Sequence, residues 1–137
     1  MTNTTPARSY RIKAEKRLKI LDVLLKEEAF SDVIREAREI VELALKGMLR
    51  QVGVEPPKWH DVGAALVEFA HRFPDAVAAD VQELARVFRW LRKEREFSFY
   101  GDIDFIPTEE YTRDYALQAI KDAAYVCRAA AGVIPLS

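Results

Sequence analysis

Leu84-Ala-Arg-Val-Phe-Arg-Trp-Leu-Arg-Lys-Glu-Arg-Glu-Phe-Ser-Phe-Tyr-Gly-Asp102 is the stretch on which the fold turns. Val77, Val81, Leu84, Phe88 and Leu91 step by four, three, four and three, the spacing of one buried helix face. One further step of four lands on Arg95. A guanidinium does not lose its charge, so if Arg95 is buried it needs a partner. Two roles are open to it. It can sit on the negative end of the helix and hold a carboxylate of a neighbouring helix, or it can be poised for a phosphate.

Outward from this helix the chain reads as α-helical throughout. A first helix is expected from about Ser9 to Glu27, with Ala14, Leu18, Leu21 and Leu25 on one face and residues 1–7 frayed ahead of it. Ser31 and Asp32 are candidate caps for a second helix running to about Gln51. Phe30, Val33, Ile34, Ala37, Val41, Ala44, Leu45 and Met48 give that helix a wide inner face, which makes it the central one. Gly47 inside it costs about 1 kcal/mol against alanine, a choice that a close helix–helix contact explains. Gly53 suits a left-handed C-cap, and Pro56-Pro57 stops the helix. A short helix is expected from about His60 to His71. Pro74 fits the first position of the long helix, which is predicted to reach about Glu96. Residues 97–108 read as an ordered loop. Thr108 is the expected cap of a last helix, with Leu117, Ile120, Ala124 and Cys127 as its stripe and Ala116, Ala119 and Ala123 beside it. Nothing alternates with the period of a strand. The predicted architecture is all-α, an antiparallel up-and-down bundle of about five helices, one domain over residues 1–137 with its core at about 9–131.

Composition narrows the function classes. The 137 residues carry 21 basic and 22 acidic side chains, and a net charge of −1 gives no global pull towards nucleic acid. The charge is uneven, however. Arg8, Arg11, Lys13, Lys16, Arg17 and Lys19 crowd the start, and Arg86, Arg89, Arg92, Lys93 and Arg95 crowd the long helix. Such runs are commonly solvated faces; as contact sites for RNA or phosphate the candidates are Arg11, Lys13, Arg17, Arg92 and Arg95. The one cysteine, Cys127, excludes an intramolecular disulfide. It lies on an apolar stripe, where packing rather than catalysis is its expected role. No signal peptide and no apolar run of membrane-spanning length is found, so a cytoplasmic protein is expected. Two histidines without ligand spacing argue against a metal site, and without a P-loop or dinucleotide fingerprint no cofactor is expected.

The order of several short motifs resembles the HEPN domain. Ala37-Arg-Glu-Ile-Val-Glu42-Leu-Ala44-Leu45-Lys46-Gly-Met-Leu49 is similar to that family's second helix. Lys58-Trp59-His60-Asp61-Val62 matches its following loop, Leu91-Arg92-Lys93-Glu94-Arg95 with Tyr100-Gly101 the end of its fourth helix, and Pro107-Thr108-Glu109-Glu110-Tyr111 the start of its last. The resemblance covers residues 11–130. It implies a helical bundle that dimerises, often beside a nucleotidyltransferase partner. Many members are metal-independent ribonucleases that carry an arginine followed four to six residues later by a histidine. Others lack the histidine and are thought to bind rather than cut.

Here Arg95 matches the arginine, but its window holds Tyr100, Gly101 and Asp102, and His60 and His71 both precede it. RNA cleavage without a metal needs a proton acceptor and donor near working pH, which histidine supplies. A free tyrosine ionises near about 10, so Tyr100 is a poor base, though it can donate to a phosphate. Arg95 or Arg92 can stabilise phosphate charge. His60 serves as the shuttle only if the fold or a dimer partner brings it to Arg95. The leading expectation is a non-catalytic HEPN-like module that dimerises, pairs with a nucleotidyltransferase or other protein, and touches RNA. The alternative is a ribonuclease with Arg95 and Tyr100 at a dimer cleft. Trp90, off the main stripe, is the candidate interface anchor; closing the bundle edge is its other role.

Overall fold

The computed structural model describes residues 5–58, 61–99 and 111–136, with the side chains of 94–99 outside the description. The elements are α1 (Pro6–Leu18), α2 (Ile20–Lys26), α3 (Phe30–Gln51), α4 (Val62–Glu68), a 3₁₀ turn (Ala70–Arg72), α5 (Asp75–Ala78), α6 (Val81–Phe99) and α7 (Arg113–Ala131). The fold is an all-α antiparallel bundle. α3 is its axis and packs against α1, α2, α4, α6 and α7, while α4 lies on α6.

The central role of α3 follows from its pattern. Val33, Ile34, Ala37, Ile40, Val41, Ala44, Leu45, Met48 and Leu49 are all buried, so more than one stripe faces protein. Gly47 lets α1 approach: a Cβ there would lie 3.0 Å from Tyr10 Cβ and 3.3 Å from the Ala7 carbonyl oxygen. Gly53 ends the helix at φ +82°. Its N–H donates to the Arg50 carbonyl, and that of Val54 to the Leu49 carbonyl, the paired bonds of a left-handed cap. Glu28 makes the same cap after α2 at φ 57°, where a side chain is disfavoured.

Several boundaries differ from the sequence expectation, each for a local reason. The first helix starts at Pro6, because Thr5 Oγ1 accepts from the Arg8 N–H and proline fits the first turn; Ala7 is thereby buried. The helix expected over 9–27 is two segments, with the Lys19 N–H turning to the Lys16 carbonyl three residues back. Ser31 and Asp32 do not cap α3. They lie inside its first turn, where Asp32 pairs with Arg35 at 2.6 Å. Asp61 caps α4 through the N–H groups of Gly63 and Ala64. Pro74 precedes the four-residue α5 rather than the long helix, which begins at Val81 and reaches Phe99. The cap of the last helix is Thr112; Thr108 is outside the described residues. The buried stripe of α7 is Ala116, Ala119, Ala123, Val126, Cys127 and Ala130, and Leu117 is 45% exposed.

Candidate functional site

The apolar stripe that leads to Arg95 is buried: Val77, Val81, Leu84, Phe88 and Leu91 all belong to the core. Arg95 lies on α6 four residues after Leu91, but its side chain is outside the described residues, as are Tyr100, Trp59 and His60. Arg89, Arg92 and Lys93 stand exposed on α6. Lys13 and Arg17 are exposed on α1, with Arg17 3.8 Å from Glu36. Arg11 is different: it is engaged inside the protein, Nε donating to Glu15 at 2.9 Å and Nη1 to the Ile134 carbonyl. His71 occupies the turn that packs on α5, which leads into the first turn of α6. From Val81 to Arg95 the helix runs about 21 Å at 1.5 Å per residue, so His71 and Arg95 belong to opposite ends of α6.

A second charged residue on a core stripe escaped the sequence reading. Ile34, Arg38, Val41 and Leu45 step by four, three and four on α3, and Arg38 is only 8% exposed. Its guanidinium lies over the Phe88 ring, 5.2 Å from the centroid, and donates to Glu42. Lys46 joins Glu42 from the next turn at 3.3 Å. Burial alone would raise the Glu42 carboxyl, but the two cations outweigh it and hold the carboxyl below its ordinary value. The same count that singled out Arg95 would have found Arg38.

Between α6 and α7 lies a groove of about 460 Å³, lined by Arg86, Trp90, Thr112, Asp114, Tyr115, Gln118 and Asp122. Trp90, half-buried, lines it from α6, and Tyr115 from the first turns of α7, its ring edge-on to that of Tyr111 at 5.8 Å. Asp122 is 7% exposed, and its Oδ1 accepts from Gln118 Nε2 at 2.9 Å. Its Oδ2 is buried and has no hydrogen-bond partner. Burial raises the Asp122 carboxyl above its ordinary value, against the pull of Gln118 and Arg86. Arg86, also in the lining, is forked around Glu83 at 2.6–3.0 Å. No sequence motif marks Asp122; the signal was a carboxylate at the i+3 position from Ala119 on an otherwise small-residue stripe.

Among the described residues the one thiol is packed away and the site offers charge and aromatic surface. Burial pushes the Cys127 thiol up to about 11, so it is a packed thiol and not a nucleophile at neutral pH. The described cations offer electrostatics, and the groove offers aromatic walls and a carboxylate oxygen lacking a donor. Among the described residues, no helix is long and apolar enough to cross a membrane. A family model of the HEPN domain matches residues 7–133. No curated protein and no solved structure matches the chain.

Proposed function

The chain belongs to the HEPN domain family, and from that premise we propose that it is a non-hydrolytic binding module: a cytoplasmic homodimer that joins a nucleotidyltransferase or other protein partner and contacts RNA through its cationic faces. The observation that carries this is the absence of a histidine after Arg95, both histidines of the chain being at positions 60 and 71. Without a histidine in the window that follows Arg95, the motif supplies charge stabilisation but not the proton exchange that histidine provides. The cationic faces are those of Lys13, Lys16 and Arg17 on α1 and Arg89, Arg92 and Lys93 on α6, all exposed. Exposed Ile20 and Val23 on α2 and Leu117 on the adjoining α7 support self-association, and Trp90 is the anchor for a partner.

The test is incubation of the purified protein with total RNA, with Arg95→Ala as control. Undegraded RNA over hours with both proteins is the expected result. Cleavage by wild type that Arg95→Ala abolishes would make the protein a ribonuclease of divergent motif, with Arg95 and Tyr100 at its centre.

A further inference from the structure

We propose that the groove between α6 and α7 receives a guanidinium, an arginine side chain presented by a partner protein, stacked on the aromatic lining of Trp90 and Tyr115 and paired with the Asp122 carboxylate. Among the described residues Asp122 Oδ2 is the buried acceptor without a donor. Leaving such an oxygen unpaired costs stability, so the carboxylate has an unmet demand for a donor. Gln118 serves only Oδ1, and Arg86 grips both oxygens of Glu83.

Charge selects the class of ligand. Among the described residues the charged lining is Arg86, Asp114 and Asp122, and Glu83 neutralises Arg86, so that lining is acidic. The first turn of α7 opposes this with its positive end. There Thr112 Oγ1 accepts the Tyr115 N–H at 3.4 Å, and Asp114 stands in the same turn. A phosphate would meet two carboxylates here, whereas a cation meets two carboxylates and two rings. Between cations, shape decides. A planar guanidinium stacks on an indole or phenol while its edge donates in the same plane; an ammonium is a point charge that stays more strongly hydrated. The protein already uses this contact internally, with Arg38 over Phe88, Arg50 over Tyr10, Arg72 over Phe69 and Arg113 over Phe30 at 5.1–5.6 Å.

The inference rests on the chain being a binding module, but its test uses neither RNA nor a second protein, so the two fail separately. The full chain is titrated with N-acetyl-arginine methylamide while the indole N–H resonance of Trp90, assigned with Trp90→Phe, is followed by NMR. A saturable shift with millimolar affinity is expected, at least about threefold weaker for N-acetyl-lysine methylamide. Asp122→Asn should weaken arginine binding by about tenfold or more. Tyr115→Ala, an exposed position that leaves the fold intact, should weaken it as well. No saturable shift by about 20 mM, or equal affinity in wild type and Asp122→Asn, would overturn the proposal. Saturation by adenosine monophosphate in place of the arginine probe would overturn it too, and assign the groove to RNA.

Discussion

Asp122 and Glu42 are both acids held in helices of the bundle, and they respond to pH in opposite senses. Burial raises Asp122 above its unfolded value. The folded protein therefore binds that proton more tightly than the unfolded chain, and the stability this gives at low pH is lost as pH rises through the folded value. At neutral pH the charge is a burden, so Asp122→Asn should melt higher than wild type at pH 7, with the gap closing towards pH 3. A lower melting temperature for Asp122→Asn at pH 7 would show that a donor already satisfies Oδ2. Stability surrendered at a position that also binds a ligand is the mark of a functional residue. Glu42 is held low by Arg38 and Lys46. Its contribution is present above the ordinary carboxylate range and is lost as pH falls through the folded value. Glu42→Gln should cost about 3 kcal/mol at pH 7, since it strands the Arg38 guanidinium over Phe88, and the cost should shrink as pH falls through the folded value of Glu42. Equal urea midpoints for the two proteins at pH 7 would contradict this pairing. Spacing puts Glu42 one turn from both Arg38 and Lys46 on α3, and Asp122 on the small-residue stripe of α7. It does not show that Phe88 of α6 lies under Arg38, or that Asp122 Oδ2 is left without a donor.

At the level of elements, the glycines test the packing most sharply. Alanine is the better helix former by about 1 kcal/mol, yet at Gly47 its Cβ would press on Tyr10, Ile134 and the Ala7 carbonyl at 3.0–3.3 Å. Overpacking of this kind costs about 1–3 kcal/mol. Gly47→Ala should therefore be destabilised, with chemical denaturation showing a lower midpoint; a higher midpoint would mean that α1 and α3 are not in close contact. The sequence conveyed this glycine's role because a glycine inside a long apolar helix has few other uses. It conveyed the faces of α3 and α6 for a similar reason, since their inner residues are large and regularly spaced. It served less well where signals were duplicated or weak. Thr108 and Thr112 are both plausible caps, and only the start of α7 at Arg113 separates them. In α7 the buried stripe is mainly alanine, so the larger Leu117 drew the count to the wrong face. Pro74 marked a helix start correctly in kind, but that helix is the single turn of α5.

At the scale of the whole molecule, the family and the helical bundle were both legible, because motif order survives where each motif is weak. The absent histidine was equally legible, and it bears directly on function. A homodimer should be visible by sedimentation at tens of micromolar, the range of an association of about 8 kcal/mol. For RNA, the basic residues are expected to divide by their surroundings. Arg11 is tied to Glu15 and the Ile134 carbonyl, so Arg11→Ala should lower stability and leave the salt dependence of binding almost unchanged. Lys13 and Arg17 are exposed, and removing both should flatten the dependence by about one to two phosphate contacts. The most direct measurement is binding of end-labelled single-stranded RNA across a salt series, with the length of the strand read from each bound sample. Binding that weakens steeply with salt and returns the strand intact is the predicted result. A strand returned cut, or no binding even at low salt, would contradict a non-hydrolytic RNA-contacting module.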